Sequence, residues 1–149
     1  MASSTKIVDK GWNRIRRELR RAAVQEVVVG IQQGEMNDGQ AIAEYAAYNE
    51  FGTENIPERS FMRSTFDENL SGIKQDMDRR YGQVLKGELD VSRALGLIGL
   101  RHQDQIKDKI GSNLPPPNAP ATIEKKGSSK TLIDTGAMKN SIHYLVRGK

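Results

Sequence analysis

The chain has no cysteine. Disulfides, thiolate metal sites and cysteine nucleophiles are excluded together, and the redox compartment stays open by this test. Aromatic residues are scarce, at 5%, so the expected core is aliphatic, built from Leu, Ile, Val and Met with a few ring anchors. Long apolar runs are missing too. The longest, counted with its glycines, is ALGLIGL from Ala94 to Leu100, far short of the roughly 18 residues a membrane span requires. The opening residues MASSTKIVDKGW carry no apolar stretch behind a basic one, so neither a secretion signal nor a membrane partner is expected. The expectation is a soluble chain.

Sequence signatures of catalysis are equally thin. Histidine occurs twice, as His102 and His143, in different segments and without a partner at metal-ligand spacing. Asp134, Ser141 and His143 are the residue types of a hydrolytic triad, yet they stand too close in sequence for separate loops, and no Gly-x-Ser-x-Gly elbow occurs. The stretch LIDTGA, Leu132 to Ala137, has the Asp-Thr-Gly of retroviral-type aspartic proteases. Such a protease needs a long β-rich segment after its aspartate, whereas only Thr135 to Lys149 follow here. Asp134, Thr135 and Gly136 are read instead as the cap of a short helix, with the Asp134 or Thr135 oxygen accepting an orphan N–H. With no phosphate-binding glycine loop, neither an enzyme nor a cofactor is expected.

What is present is a chain of 149 residues with net charge +4, the size of one compact domain. The charge is unevenly placed. Lys10, Arg14, Arg16, Arg17, Arg20 and Arg21 outnumber the acids of the first segment, and the tail from Glu124 is basic as well. Between them, Glu50, Glu54, Glu58, Asp67 and Glu68 outnumber Arg59 and Arg63. Basic ends and an acidic middle suit head-to-tail self-association. The arginines also suit nucleic-acid phosphates, although no zinc finger, RRM signature or interleaved basic and aromatic pattern accompanies them. A basic nucleic-acid-binding module is therefore the alternative function.

Periodicity predicts the elements. Trp12, Ile15, Leu19 and Ala22 form one apolar stripe on a first helix. Glu26 to Gln32 is a β-branched strand ended by the turn formers of QGEMNDG. An Ala-rich helix begins near Gln40 and ends at Gly52. After an irregular link to Pro57, Ser60 caps a long helix with Phe66, Leu70, Ile73, Met77, Tyr81 and Val84 in a row. Asp90 opens another, with Val91, Leu95, Ile98, His102, Ile106 and Ile110 on one side, while Gly96 and Gly99 admit a close neighbour. Facing stripes imply an antiparallel hairpin. Prolines exclude helix from Leu114 onward, leaving an extended arm with a mobile tip at Lys125 to Lys130. SIHYLV closes the chain as a strand able to pair with Glu26 to Gln32.

The stretch YNEFGTENIPERSF, Tyr48 to Phe61, breaks a helical segment with Gly, Asn and Pro between aromatic residues. Phe51-Gly52-Thr53 with Ile56-Pro57-Glu58-Arg59 and Phe61, then the proline-rich Leu114 to Thr122, then Leu132 to Gly136 followed by Ser141-Ile142, occur in an order and spacing that resemble the tail-completion and neck proteins of tailed bacteriophages, a family that includes minor tail and virion morphogenesis proteins. The resemblance spans roughly Ala41 to Val146 and departs at Met138, where the family tends to have Leu. It implies a structural virion protein of the neck or tail, present in host cytoplasm during assembly. Its implied partners are copies of itself in a cyclic ring, a hexamer rather than a dodecamer, neighbouring neck, connector or tail proteins, and by non-specific contact the phage genome. Phe51, Ile56, Pro57 and Phe61 are expected to fix a corner, and Glu54, Glu58, Arg59 and Arg63, with Pro115, Pro116 and Pro117 of the arm, to meet neighbours. The expected fold is a helix-dominated α+β single domain, 1–149, with a long helical hairpin, a small antiparallel sheet and an extended proline-rich arm over 112–131.

Overall fold

The computed structural model of the chain describes residues 8–149, so the first seven residues of the opening stretch lie outside it. The elements in chain order are α1 (Trp12–Val24), β1 (Gln25–Ile31), β2 (Met36–Asn37), β3 (Gln40–Ala41), α2 (Ile42–Phe51), α3 (Met62–Lys86), α4 (Val91–Gly111), α5 (Pro120–Lys126), α6 (Ala137–Asn140) and β4 (Ile142–Gly148). The fold is helix-dominated α+β, and β1 and β4 pair antiparallel with Val27 opposite Val146 and Ile31 opposite Ile142. Among the described residues no helix is long and apolar enough to cross a membrane. The QGEMNDG turn makes a miniature hairpin of β2 and β3, with Asp38 and Gly39 both at positive φ, as a two-residue primed turn requires.

Helix α4 lies across the β1–β4 sheet. A Cβ placed on Gly99 would stand 2.6 Å from Val27 Cγ2 and 2.9 Å from Tyr144 Cβ, so the missing side chain sets how closely helix and sheet approach. This contact redirects the hairpin. Because the sheet takes up apolar surface of α4, the seam between α3 and α4 is largely polar, and half of the stripe expected to be buried on α3 faces outward, with Leu70 and Ile73 half-buried and Val84 buried. Phe66, Met77 and Tyr81 are exposed, while Thr65 and Asp76 are buried. Gln105 Nε2 donates to Asn69 Oδ1 at 2.9 Å, Lys109 Nζ meets Glu68 Oε1 at 2.5 Å, and Asp76 is paired with Arg79, Arg80 and Arg101. The apolar core lies at the two ends of the hairpin. One cluster joins Ile42, Ala46, Phe61, Ile106, Ile110 and Ile142, and a smaller one joins Val84, Val91 and Ala94.

α1 departs from its expected seam. Trp12 is 62% exposed and Leu19 is exposed as well, whereas Glu18 is buried. The docking is polar because α1 crosses the turn between two helices whose ends leave backbone groups unpaired. Glu18 Oε2 accepts the Val91 N–H at 3.1 Å, at the start of α4. The Arg14 guanidinium donates to the Val84 and Leu85 carbonyls at 2.8 Å each, near the C-terminus of α3, where positive charge is favoured.

The arm is not extended throughout. Pro120 opens the short helix α5, in a first turn where its missing N–H is no loss, and Gly127 ends it at φ 66°. Pro115 to Pro117 remain outside any helix.

Candidate functional site at the corner

Gly52 ends α2 at φ 73°, and a Cβ there would lie 3.0 Å from the Glu58 nitrogen. The chain then folds tightly upon itself. Thr53 N–H donates to the Ile56 carbonyl at 2.8 Å, and Thr53 Oγ1 accepts the Ile56 N–H at 3.0 Å. Arg59 N–H returns to the Asn49 carbonyl at 2.7 Å, tying the link to α2. Phe61, fully buried, plugs the corner into the larger core cluster.

Ser60 was expected to cap α3, but the cap comes from the preceding helix. Glu50, at 4% exposure, accepts the backbone N–H groups of Phe61, Met62 and Arg63 at 2.7, 2.8 and 2.9 Å. The Ser60 hydroxyl donates to the same carboxylate at 2.9 Å, and Arg63 Nε at 3.0 Å. The reason is geometric: α2 ends against the start of α3, and a carboxylate satisfies several orphan amides at once while sitting at the positive end of the helix. Burial works to raise the Glu50 pKa, but the Met62 and Arg63 N–H groups, the Ser60 hydroxyl and the Arg63 side chain outweigh it and hold the group below its ordinary value.

The residues expected to face neighbours divide. Arg59 does not face outward; it is 6% exposed, with Nε donating to the Pro116 carbonyl at 2.8 Å and Nη2 reaching Pro117 O at 3.4 Å and Asn118 Oδ1 at 3.3 Å. It staples the proline arm to the corner, and burial lowers its pKa. Arg63 and Glu58 are exposed, and Arg63 also bonds within the chain, to the Glu50 carbonyl at 2.7 Å, to Glu58 at 2.7 Å, and over the Phe51 ring at 4.7 Å from the centroid. Glu54, Pro57, Pro115, Pro116 and Pro117 are exposed, as is Phe51, while Ile56 is half-buried. The corner and arm therefore form one body, with an outer rim of Phe51, Glu54, Pro57 and the three prolines.

The cap expected at α6 is met through Thr135 and Gly136 and not through Asp134. Gly136 is itself the N-cap residue, at φ 83°, and the Thr135 hydroxyl accepts the Ala137 N–H at 3.3 Å, while no Asp134 side-chain oxygen caps the helix. Asp134 instead lines a cleft of about 340 Å³ between the β2–β3 hairpin, α2 and the loop before α6. His102 Nδ1 lies 3.2 Å from Gln105 Oε1 with the ring edge-on to Phe66, and His143 Nε2 is 3.8 Å from Glu35. Ser141 donates its hydroxyl to the Met138 carbonyl and is buried. Among the described residues no three His, Cys, Asp or Glu side chains gather as a metal site.

Sequence reasoning missed Glu50, Asp76 and the cleft. A capping box joins residues three apart, and Glu50 acts over ten to thirteen residues, so no local pattern marks it. The one available signal was an acid at the end of α2 shortly before the start of α3, and Ser60 offered a local cap that masked it. No protein-family model, curated protein or solved structure matches this chain.

Proposed function

We propose that the chain is a structural virion subunit that joins head to tail or completes the tail of a tailed bacteriophage, assembling into a ring with copies of itself and against neighbouring neck, connector or tail proteins. The observation that carries this reading is where the scarce aromatic residues lie. Of one Trp, four Tyr and three Phe, only Phe61 is buried and Tyr45 half-buried; Trp12, Tyr48, Phe51, Phe66, Tyr81 and Tyr144 are exposed. Phe51, Phe66 and Tyr144 also make contacts within the chain, but so many rings at the surface suit an interface, whose core is enriched in aromatic residues. Phe66, Leu70, Ile73, Met77 and Tyr81 follow one another along α3 over about 22 Å, a length suited to a subunit contact. The corner supports the same reading, because its rim is presented by a body already held by Glu50 and Arg59 and loses little freedom on docking.

The test is the assembly state of the purified chain, by light scattering and negative-stain imaging, beside Met77→Glu/Tyr81→Glu. The parent should form closed rings, and the double variant should stay monomeric with its melting temperature within about 2 °C, since exposed substitutions cost little stability. Rings formed equally well by both proteins, or a parent that remains monomeric at high concentration, would refute the proposal. The exposed Arg16 and Arg20 of α1 favour a second reading, duplex DNA binding. That reading calls for an affinity that falls steeply with salt.

A further inference from the structure

The cleft beside the corner is unused by any contact described so far, and its walls include Asp38, Gln40, Tyr45, Asn49, Thr131 and Asp134. Asp38 and Asp134 form no ion pair among the described residues. Both act on Tyr45, whose phenol pKa is raised first by burial and then by the charges of Asp134 and Asp38. Lys126, also on the wall, donates its ammonium to the Lys130 carbonyl at 2.9 Å. Thr131 also lies on the wall. It is 7% exposed, its N–H is satisfied by Asn113 Oδ1 at 2.9 Å, yet its hydroxyl oxygen is buried with no hydrogen-bond partner among the described residues. Buried polar atoms are nearly always paired, and an orphan calls for an explanation.

Two carboxylates with side-chain amides and hydroxyls around them form an acceptor-rich pocket suited to a planar cation that carries several N–H donors. Among the described residues the carboxylates are too few for a metal cage. We propose that the cleft receives an arginine guanidinium from α1 of a second copy of the chain, so that the basic end of one subunit docks beside the acidic hairpin of the next. This rests on the assembly reading above. On α1, Arg14 is committed to the end of α3 and Arg21 to Glu18, with Arg17 at 3.9 Å from the same carboxylate. Arg16 and Arg20, one turn apart, are exposed and form no ion pair among the described residues. The chain's own α1 does not reach the cleft. It packs at the Val84–Val91 end of the hairpin, whereas α2 and Phe61 sit at the other end, and α3, with 25 residues, separates them by roughly 37 Å. A contact between two different surfaces is heterologous, and repeated around an axis it closes a ring.

Self-association is to be measured by analytical ultracentrifugation for the parent, D38R/D134R, R16E/R20E and an equimolar mixture of the two variants. Each variant alone should associate at least tenfold more weakly, and the mixture should recover, because a native arginine then meets a native cleft. If the parent assembles and all variants assemble equally, the cleft is not the contact, and the ring reading survives. A parent that stays monomeric removes both. Variants that fail alone and stay apart when mixed also overturn the proposal.

Discussion

Glu50→Ala removes one carboxylate and leaves the Phe61, Met62 and Arg63 N–H groups, the Ser60 hydroxyl and Arg63 Nε without their acceptor. A lost helix cap alone costs about 1–2 kcal/mol, and each buried N–H donor left unsatisfied costs about 1–3 kcal/mol, whereas Arg63, half exposed, can turn to water. The two figures overlap because they count the same bonds, so about 4 kcal/mol is expected. That is a large share of the roughly 5–15 kcal/mol that holds a domain together. For a chain of this length it lowers the melting temperature by about 8–16 °C. Glu50→Gln keeps the shape and one acceptor oxygen but turns an NH2 towards amide donors, so roughly half that loss is expected. The depressed native pKa fixes the pH dependence. The stabilisation is fully present above the unfolded glutamate value, about 4.3, and is lost as pH falls through the lower native value. Thermal melts followed by circular dichroism at pH 7 and pH 3 therefore give a wide gap between parent and Glu50→Gln at pH 7 and a narrower one at pH 3. A Glu50→Ala melting temperature within about 2 °C of the parent at pH 7 would refute the capping argument, as would a gap that does not change with pH.

Arg59→Ala should free the proline arm without unfolding the core, so tryptic cleavage at Lys125, Lys126 and Lys130 should accelerate by at least tenfold; an unchanged rate would mean the staple is idle. Gly99→Ala forces a methyl into Val27 and Tyr144 and should destabilise by about 1–3 kcal/mol in urea melts even after the gain in helix propensity. Gly82→Ala, on α3 with nothing within 4 Å of the added carbon, should stabilise by about 0.5–1 kcal/mol. Equal effects at the two glycines would show that close packing of α4 on the sheet does not decide the result. The charge-swapped pair at the cleft and the double glutamate substitution on α3 report on assembly; the latter should leave stability unchanged, and D38R, at positive φ in the hairpin turn, should cost about 1–2 kcal/mol without altering the fold.

Local chemistry sufficed for much of this protein. The β-branched run Val27 to Val29 and the closing SIHYLV pair as expected, Gly52 and Gly87 end their helices, and Asp38-Gly39 turns a hairpin. Each of these follows from the conformational preference of a few adjacent residues. Which side of a helix is buried does not, because periodicity names a stripe without naming what covers it. Half of the stripe on α3 is exposed because the β1–β4 sheet occupies apolar surface of α4, and Trp12 is exposed because α1 docks through Glu18 and Arg14 on two helix ends. Glu50 over α3, Arg59 on the Pro116 carbonyl, and Asp38 across one cleft from Thr131 and Asp134 all join residues ten to nearly a hundred positions apart. Hydrogen-bond donors and acceptors so separated in the chain meet only once the helices have packed, so their partnership belongs to the tertiary structure and not to any segment of the sequence.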